Sequence, residues 1–227
     1  MRTESEILSR LKEAESKAIF LFSEIEKRGL VCAGKTENEL NKEVFILAEN
    51  LFGITKYWHK RIVRAGANTL LPYKENPPDL KIQDDDIVFF DFGPIFEEFE
   101  ADFGRTYVIG NDQEKLKLTR DLEKAWLDGQ AFFNSKKSLT GSDFYDYLCE
   151  LAKQYGWIFG GEIGGHLIGQ FPHESLETEI KDNYIHPENK LDLFLPDTNG
   201  NVRNWILEIH FVNKKREFGG FYEQLLR

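Results

Sequence analysis

The 227-residue chain has little cysteine: Cys32 and Cys149 are all of it. Neither sits in a CxxC or a Cys/His spacing, so no disulfide framework and no cysteine metal site is written into the chain. Both read as small buried residues of a protein kept in a reducing compartment. Positive charge is also short. Lysine and arginine number 29 against 39 aspartates and glutamates, a net charge of -10. That balance argues against nucleic acid or an anionic membrane as the main partner and fits a site that attracts cations. No apolar run approaches membrane-spanning length. The opening stretch, MRTESEILSRLKEAESKAIF, is charged throughout and is no signal peptide. A cytoplasmic location follows as the expectation. No low-complexity linker and no sequence repeat divides the chain, so residues 1–227 read as a single domain.

The 41% hydrophobic content is enough for a substantial core. Residues 4–28 place Ile7, Leu11, Ala14, Ala18 and Ile25 at helical spacing, with Thr3 and Glu6 spaced as a capping box and Gly29 as a stop. Thr36 and Glu39 repeat the box ahead of a second stripe, Leu40, Val44, Leu47 and Leu51. RIVRAGANTLLPYKENPPD reads as a strand followed by a turn-rich loop. Two strands, DDDIVFFDFG and EADFGRTYVIG, form a hairpin. Helices over about 113–134 and 141–155 follow, then a glycine-rich stretch, GWIFGGEIGGHLIGQFPHE, a polar loop over 176–201, and a final hairpin from RNWILEIHFV and GGFYEQLL. Two helices with a hairpin thus occur twice. The fold class is α+β, with two similar layers.

Four carboxylates lie inside apolar strand sequences, where burying a charge is costly. With the first turn centred on Phe96 and Glu97, Asp91 and Asp102 face each other. With the second centred on Lys215 and Arg216, Glu208 faces Glu223. Like charges directly opposite destabilise a sheet unless they share a proton or a cation. One such pair is compatible with accident; two point to a pair of divalent cations. His166 and His173, seven residues apart in the glycine-rich stretch, add imidazole and bias the site toward transition metals. His210 shares the strand face of Glu208, which suits a substrate contact or a satisfied core histidine equally. His59 and His186 have no such setting and read as surface residues.

The ordered set Asp91, Asp102, His166, Glu208 and Glu223 resembles the metal ligands of the pita-bread metallopeptidases, a family that includes methionine aminopeptidase, aminopeptidase P and prolidase. DFGP resembles the family's first aspartate motif, ADFGRT its second, and GGHLIGQFPHE its histidine pattern. The resemblance covers nearly the whole chain. It implies a curved antiparallel sheet with outer helices, two divalent metal ions (manganese, cobalt, iron or zinc), a peptide substrate and a homodimer. Asp91 would chelate one metal, Asp102 and Glu223 would bridge both, and His166 and Glu208 would complete the second. A hydroxide shared by the metals would attack the peptide carbonyl, with Glu208 as general base and His173 hydrogen-bonding the substrate. The compact length is that of methionine aminopeptidase, without the additional N-terminal domain of typical aminopeptidase P. PYKEN and the short final hairpin lean toward the aminopeptidase P side, and so toward Xaa-Pro peptides.

Three departures stand out. The family's loop histidine before the first aspartate falls here on Pro72 or Tyr73, and tyrosine's high pKa bars it from replacing imidazole, although Tyr73 can still donate a hydrogen bond to substrate. Gly104 stands where a threonine is common. Ile209, leading to His210, replaces the usual proline after the first glutamate. Two other readings use the same fold: a catalytically silent relative that binds a partner, and a non-peptide amide hydrolase of creatinase type.

Overall fold

The computed structural model describes residues 2–171, 181–197 and 200–226. Both expected capping boxes form. Thr3 and Glu6 cap α1 (Glu4–Lys27), and Thr36 and Glu39 cap α2 (Glu37–Phe52), each side chain taking the other residue's backbone N–H. Gly53 ends α2 in the left-handed conformation, at φ 68°. Asp112 caps α3 (Gln113–Asn134); Thr140 caps α4 (Gly141–Tyr155), which stops at Gly156 with φ 86°. The strands are β1 (Ile62–Ala65), β2 (Ile87–Phe92), β3 (Ile95–Phe96), β4 (Phe99–Glu100), β5 (Phe103–Val108), β6 (Ile158–Phe159), β7 (Leu167–Ile168), β8 (Asn204–Asn213) and β9 (Phe218–Leu225).

One antiparallel sheet carries the order β1-β2-β5-β9-β8-β6, with β7 also paired to β8; β3 and β4 form a separate small ribbon. The order divides this one sheet into two halves. Each half runs from its outer strand to the middle, β1, β2, β5 from one side and β6, β8, β9 from the other. Each half also has its own core. In the first, Phe22 of α1 meets Phe90, Phe92 and Phe103 at ring separations of 5.8, 6.1 and 4.9 Å. In the second, Trp126 of α3 is 1% exposed. Its indole N–H donates to the Leu207 carbonyl at 3.0 Å, so its polar tip is satisfied within an apolar setting.

Two features depart from the sequence-based expectation. Cys32 is exposed and Cys149 half-buried. Cys32 lies in the turn between α1 and α2, and Cys149 lies toward the edge of α4's buried stripe. The first hairpin is displaced as well. Its turn is at Glu97 and Glu98, because Phe96 pairs with Phe99 and both are buried. Glu97 takes φ 59° to close it. Asp91 therefore faces Gly104 rather than Asp102. A two-residue displacement preserves the face, since side chains alternate with period two, and Asp102 remains a diagonal neighbour of Asp91. The second hairpin has the expected register, Glu208 opposite Glu223.

Candidate metal centre

The register sets four positions in one row across the middle of the sheet. Asp91 on β2 pairs with Gly104 on β5, Gly104 with Glu223 on β9, and Glu223 with Glu208 on β8. Partners in a row share a face, so three carboxylates converge there, and Asp102, just before β5, adds the fourth beside Gly104. The Phe221 ring lies over Gly104: a Cβ there would come within 2.5 Å of it. The family's threonine has no room at this position.

The two middle strands share only one regular pair, Gly104 with Glu223. Side chains supply the rest. The Thr106 hydroxyl accepts from Phe221 N at 2.7 Å and donates to its carbonyl at 2.8 Å. Arg105 donates to the Glu223 carbonyl at 3.0 Å and is held between the Phe103 and Tyr222 rings, 3.7 Å from each centroid. The arginine and threonine of ADFGRT thus fix the strand that carries Glu223.

Asp91, Asp102, His166 and Glu223 are buried, and the Glu208 side chain is 14% exposed. His166 reaches the row from just ahead of β7. Its Nδ1–H donates to the Leu167 carbonyl at 2.7 Å. Its Nε2 lies 2.9 Å from Asp102 Oδ2, 3.8 Å from Glu208 and 3.9 Å from Glu223. The structure thus assembles the five residues singled out as metal ligands. His173 lies outside the described residues.

His59, expected at the surface, is buried in the same cluster, its side chain 7% exposed. Its Nε2 is 3.1 Å from Asp102 Oδ1 and 3.5 Å from Asp91 Oδ1. His186, also expected at the surface, is half-buried and lines the cavity above the cluster. The signal for His59 was tertiary. RIVRAG pairs with VFFDF, setting Ile62 opposite Asp91, and Trp58 N then bonds the Gly93 carbonyl at 2.9 Å. Only with that strand pairing does the residue after Trp58 arrive at the aspartates.

The cavity measures about 580 Å³, with Asp91, Asp102, Glu208 and Glu223 among its walls. Ile62, Phe89 and Phe221 form a small apolar cluster on one side. Tyr73 lines the mouth, 45% exposed, its ring 5.8 Å from that of His59. Burial raises its hydroxyl's pKa, so it stays a donor. Buried Arg64 shapes this loop, donating to the carbonyls of Leu71, Pro72 and Glu75. His210 also lines the cavity, and its Nε2–H donates to the Thr69 carbonyl at 2.8 Å. Burial lowers its pKa to about 4, so it is neutral.

Burial pushes Glu208 up to about 8, against the pull of His166. Burial likewise raises Glu223, with the charges of Asp102, Asp91 and Glu208 adding to it. Asp91 rises to about 6 for the same first reason, opposed by His59. Burial disfavours the imidazolium of His59, yet the Asp102 and Asp91 carboxylates carry it up to about 9; His166 reaches about 9 through its bond to Asp102. Despite burial, Asp102 is held well below the ordinary carboxylate range by the two histidines. Without metal, the cluster is thus balanced by protons.

The histidines, at about 9 folded against about 6.5 unfolded, stabilise fully below pH 6.5, and that contribution is lost as pH rises through 9. Glu208 and Glu223, also raised, act in the same direction: their charge is buried at a cost that appears as pH climbs above the usual carboxylate range. The chelator-treated protein is expected to melt on the order of 5–10 °C lower at pH 9 than at pH 6.5. Saturating manganese should remove most of the drop, because binding releases these protons. A thermal-shift series in pH, with and without metal, reads both; a flat metal-free profile would contradict the proton balance.

The donors fit divalent cations. Glu223 Oε2 is buried with no hydrogen-bond partner, an orphan that native proteins rarely leave, and the carboxylate–imidazole set suits a transition metal. Asp102, His166 and Glu223 place ligand atoms within 4.8 Å of one another, as do His59, Asp91 and Asp102.

Comparison with known proteins places this architecture. Residues 9–197 match metallopeptidase family M24, and the chain belongs to that family. The match includes Asp91, Asp102 and His166, while Glu208 and Glu223 follow it on the last hairpin. Among curated relatives, an Xaa-Pro dipeptidase of Pyrococcus furiosus is 28% identical over 177 residues, 76% of this chain and 48% of that protein. An Xaa-Pro dipeptidase of Pyrococcus horikoshii is 27% identical, over 69% of this chain and 45% of its own. The chain spans about half the length of the curated relatives it matches. Among solved structures, an X-Pro aminopeptidase from Thermotoga maritima superposes with TM-score 0.76 at 21% identity, covering 98% of this chain and 61% of that one. A prolidase from Thermococcus sibiricus gives 0.74 at 23%, covering 97% and 56%. These structures show the pita-bread fold. Among the described residues, no helix is long and apolar enough to cross a membrane.

Proposed function

We propose that the chain is a metal-dependent peptidase that hydrolyses the N-terminal bond of short peptides, with proline preferred in the second position. One observation carries the reading: the expected carboxylates and His166 come together in one buried cluster at the floor of an open cavity. Asp91, Asp102, His166, Glu208 and Glu223 would hold two divalent cations, of which manganese and cobalt are the first to try. Held there, cations would polarise the peptide carbonyl and lower the pKa of bound water at neutral pH.

The chain's own groups do the rest. Glu208 has the most open side chain of the clustered carboxylates. It takes the proton from water and passes it to the leaving amine. The Tyr73 hydroxyl, at the mouth, donates to the substrate, and His173 is assigned the same work on its carbonyl. The neutral His210 braces Thr69 and, with Phe89 and Phe221, 5.9 and 6.1 Å from its ring, backs an apolar surface suited to a proline ring. The Xaa-Pro names of the relatives support this choice of substrate. The acidic charge and two free thiols suit a cytoplasmic setting.

The test uses protein stripped by chelator and reloaded with manganese or cobalt, given Xaa-Pro dipeptides, Xaa-Pro-Yaa tripeptides and non-proline controls. Release of the N-terminal residue is expected only after loading, fastest with proline second. Protein that binds its ions and turns over no peptide would overturn the assignment.

A further inference from the structure

We propose that His59 is a sixth protein ligand of the metal pair, binding through Nε2 the ion that Asp91 chelates; the inference rests on the two-metal reading above.

The geometry of His59 matches that of His166 point by point. Each Nδ1 lies 2.7 Å from the carbonyl of the next residue, Lys60 or Leu167. That bond commits Nδ1–H and leaves Nε2 as the atom turned inward, the arrangement that orients metal-binding histidines. Each Nε2 then meets one oxygen of Asp102: His59 at Oδ1, 3.1 Å, and His166 at Oδ2, 2.9 Å. Asp102 thus has one imidazole on each side. The other neighbour of His59 is Asp91, at 3.5 Å, and those of His166 are Glu208 and Glu223.

The fold repeats the placement. His59 lies three residues ahead of β1, which pairs with the Asp91 strand. His166 lies one residue ahead of β7, which pairs with the Glu208 strand. Each half therefore delivers one histidine from beside the strand that carries its outer carboxylate. The resemblance accounts for the histidine of the second half alone.

Room for His59 is made by a glycine. A Cβ on Gly93 would lie 2.2 Å from His59 Cδ2 and 2.4 Å from Nε2. Its φ is not in the left-handed region, so close approach rather than backbone conformation requires glycine here. Trp58 holds the segment from the other side. Its indole donates to the Ala101 carbonyl at 3.2 Å, and its ring stands 4.4 Å from His59 and 5.2 Å from His166. The imidazole is thus buried, oriented and aimed at two carboxylates whose atoms, with its own, lie within 4.8 Å of one another. The resulting sets are His59, Asp91, Asp102 and Glu223 for one ion, and Asp102, His166, Glu208 and Glu223 for the other.

With only five histidines in the chain, 15N-histidine NMR during a zinc titration can count the ligands. Two imidazoles are expected to move to metal-bound nitrogen shifts, one disappearing in His59→Phe and the other in His166→Phe. Calorimetry on H59F should show one of two ions weakened at least about tenfold and the other retained. If His59→Phe fails to fold, His59→Gln and Gly93→Ala, which evicts the ring, carry the same assignment. A single bound imidazole that persists in H59F, or a second one that is not His59, overturns this proposal and leaves the two-metal reading standing. Wild-type protein that takes up no zinc overturns both.

Discussion

Asp102→Asn is expected to reduce peptidase activity on the order of 10³-fold or more. Asp102 is 3% exposed and is the closest carboxylate to both imidazoles in the cluster. The amide keeps the volume and removes the charge. Losing even an outer partner of a metal site costs about 10–100-fold, and under the proposed function this carboxylate would serve both ion positions at once. The variant should bind fewer than two ions per chain by elemental analysis after gel filtration. The metal-free variant offers a second readout. Asp102 is the main charge that raises His59 and His166 to about 9. In its absence His59 keeps only the Asp91 carboxylate and His166 only that of Glu208 against burial, so both histidines lose their protons at lower pH. The fall in melting temperature between pH 6.5 and 9 should then shrink, although the variant is less stable overall because a buried charge network has lost its centre. Full two-ion stoichiometry together with more than about a tenth of the activity would refute the bridging assignment.

The residues that local patterns could expose were the ones that alternation and caps govern. Thr3, Glu6, Thr36 and Glu39 mark helix starts by spacing within one turn, and the structure forms both boxes. Glu208 and Glu223 are paired by a turn whose centre the sequence shows, and their register is as expected. The first hairpin was harder. Its acidic pair, Glu97 and Glu98, lies between two phenylalanines, and burial of both Phe96 and Phe99 moves the turn by one residue. Face was preserved because a two-residue change of partner keeps the pleat. His59 was not legible, because nothing within ten residues of it signals a metal. Its setting depends on β1 pairing with β2 and on the space above Gly93, both properties of the folded sheet. Gly104 shows the converse. It stands where a threonine is common, and the Phe221 ring fills the room that a side chain would need.

Glu208→Gln is expected to act differently from Asp102→Asn, and the contrast separates holding a cation from moving a proton. Glu208 lies at the end of the carboxylate row, its side chain 14% exposed against 2% for Glu223. Its contact with His166, at 3.8 Å, is looser than that of Asp102, at 2.9 Å. Removing its charge leaves Asp102, His166 and Glu223 still converging, so ions should be retained, with weakened affinity at one position. The proton path is lost outright, because an amide cannot accept the proton of water and return it to an amine. A general base contributes about 10²–10⁴-fold, and kcat should fall by that amount. KM should change little, since the apolar wall of Ile62, Phe89 and Phe221 proposed to meet substrate is untouched. Steady-state kinetics at saturating manganese measures both constants. Should kcat survive in the glutamine variant while ions remain bound, the general base would have to be a different group. Loss of both ions would instead make Glu208 a primary anchor of the metal pair, with Asp102 secondary to it.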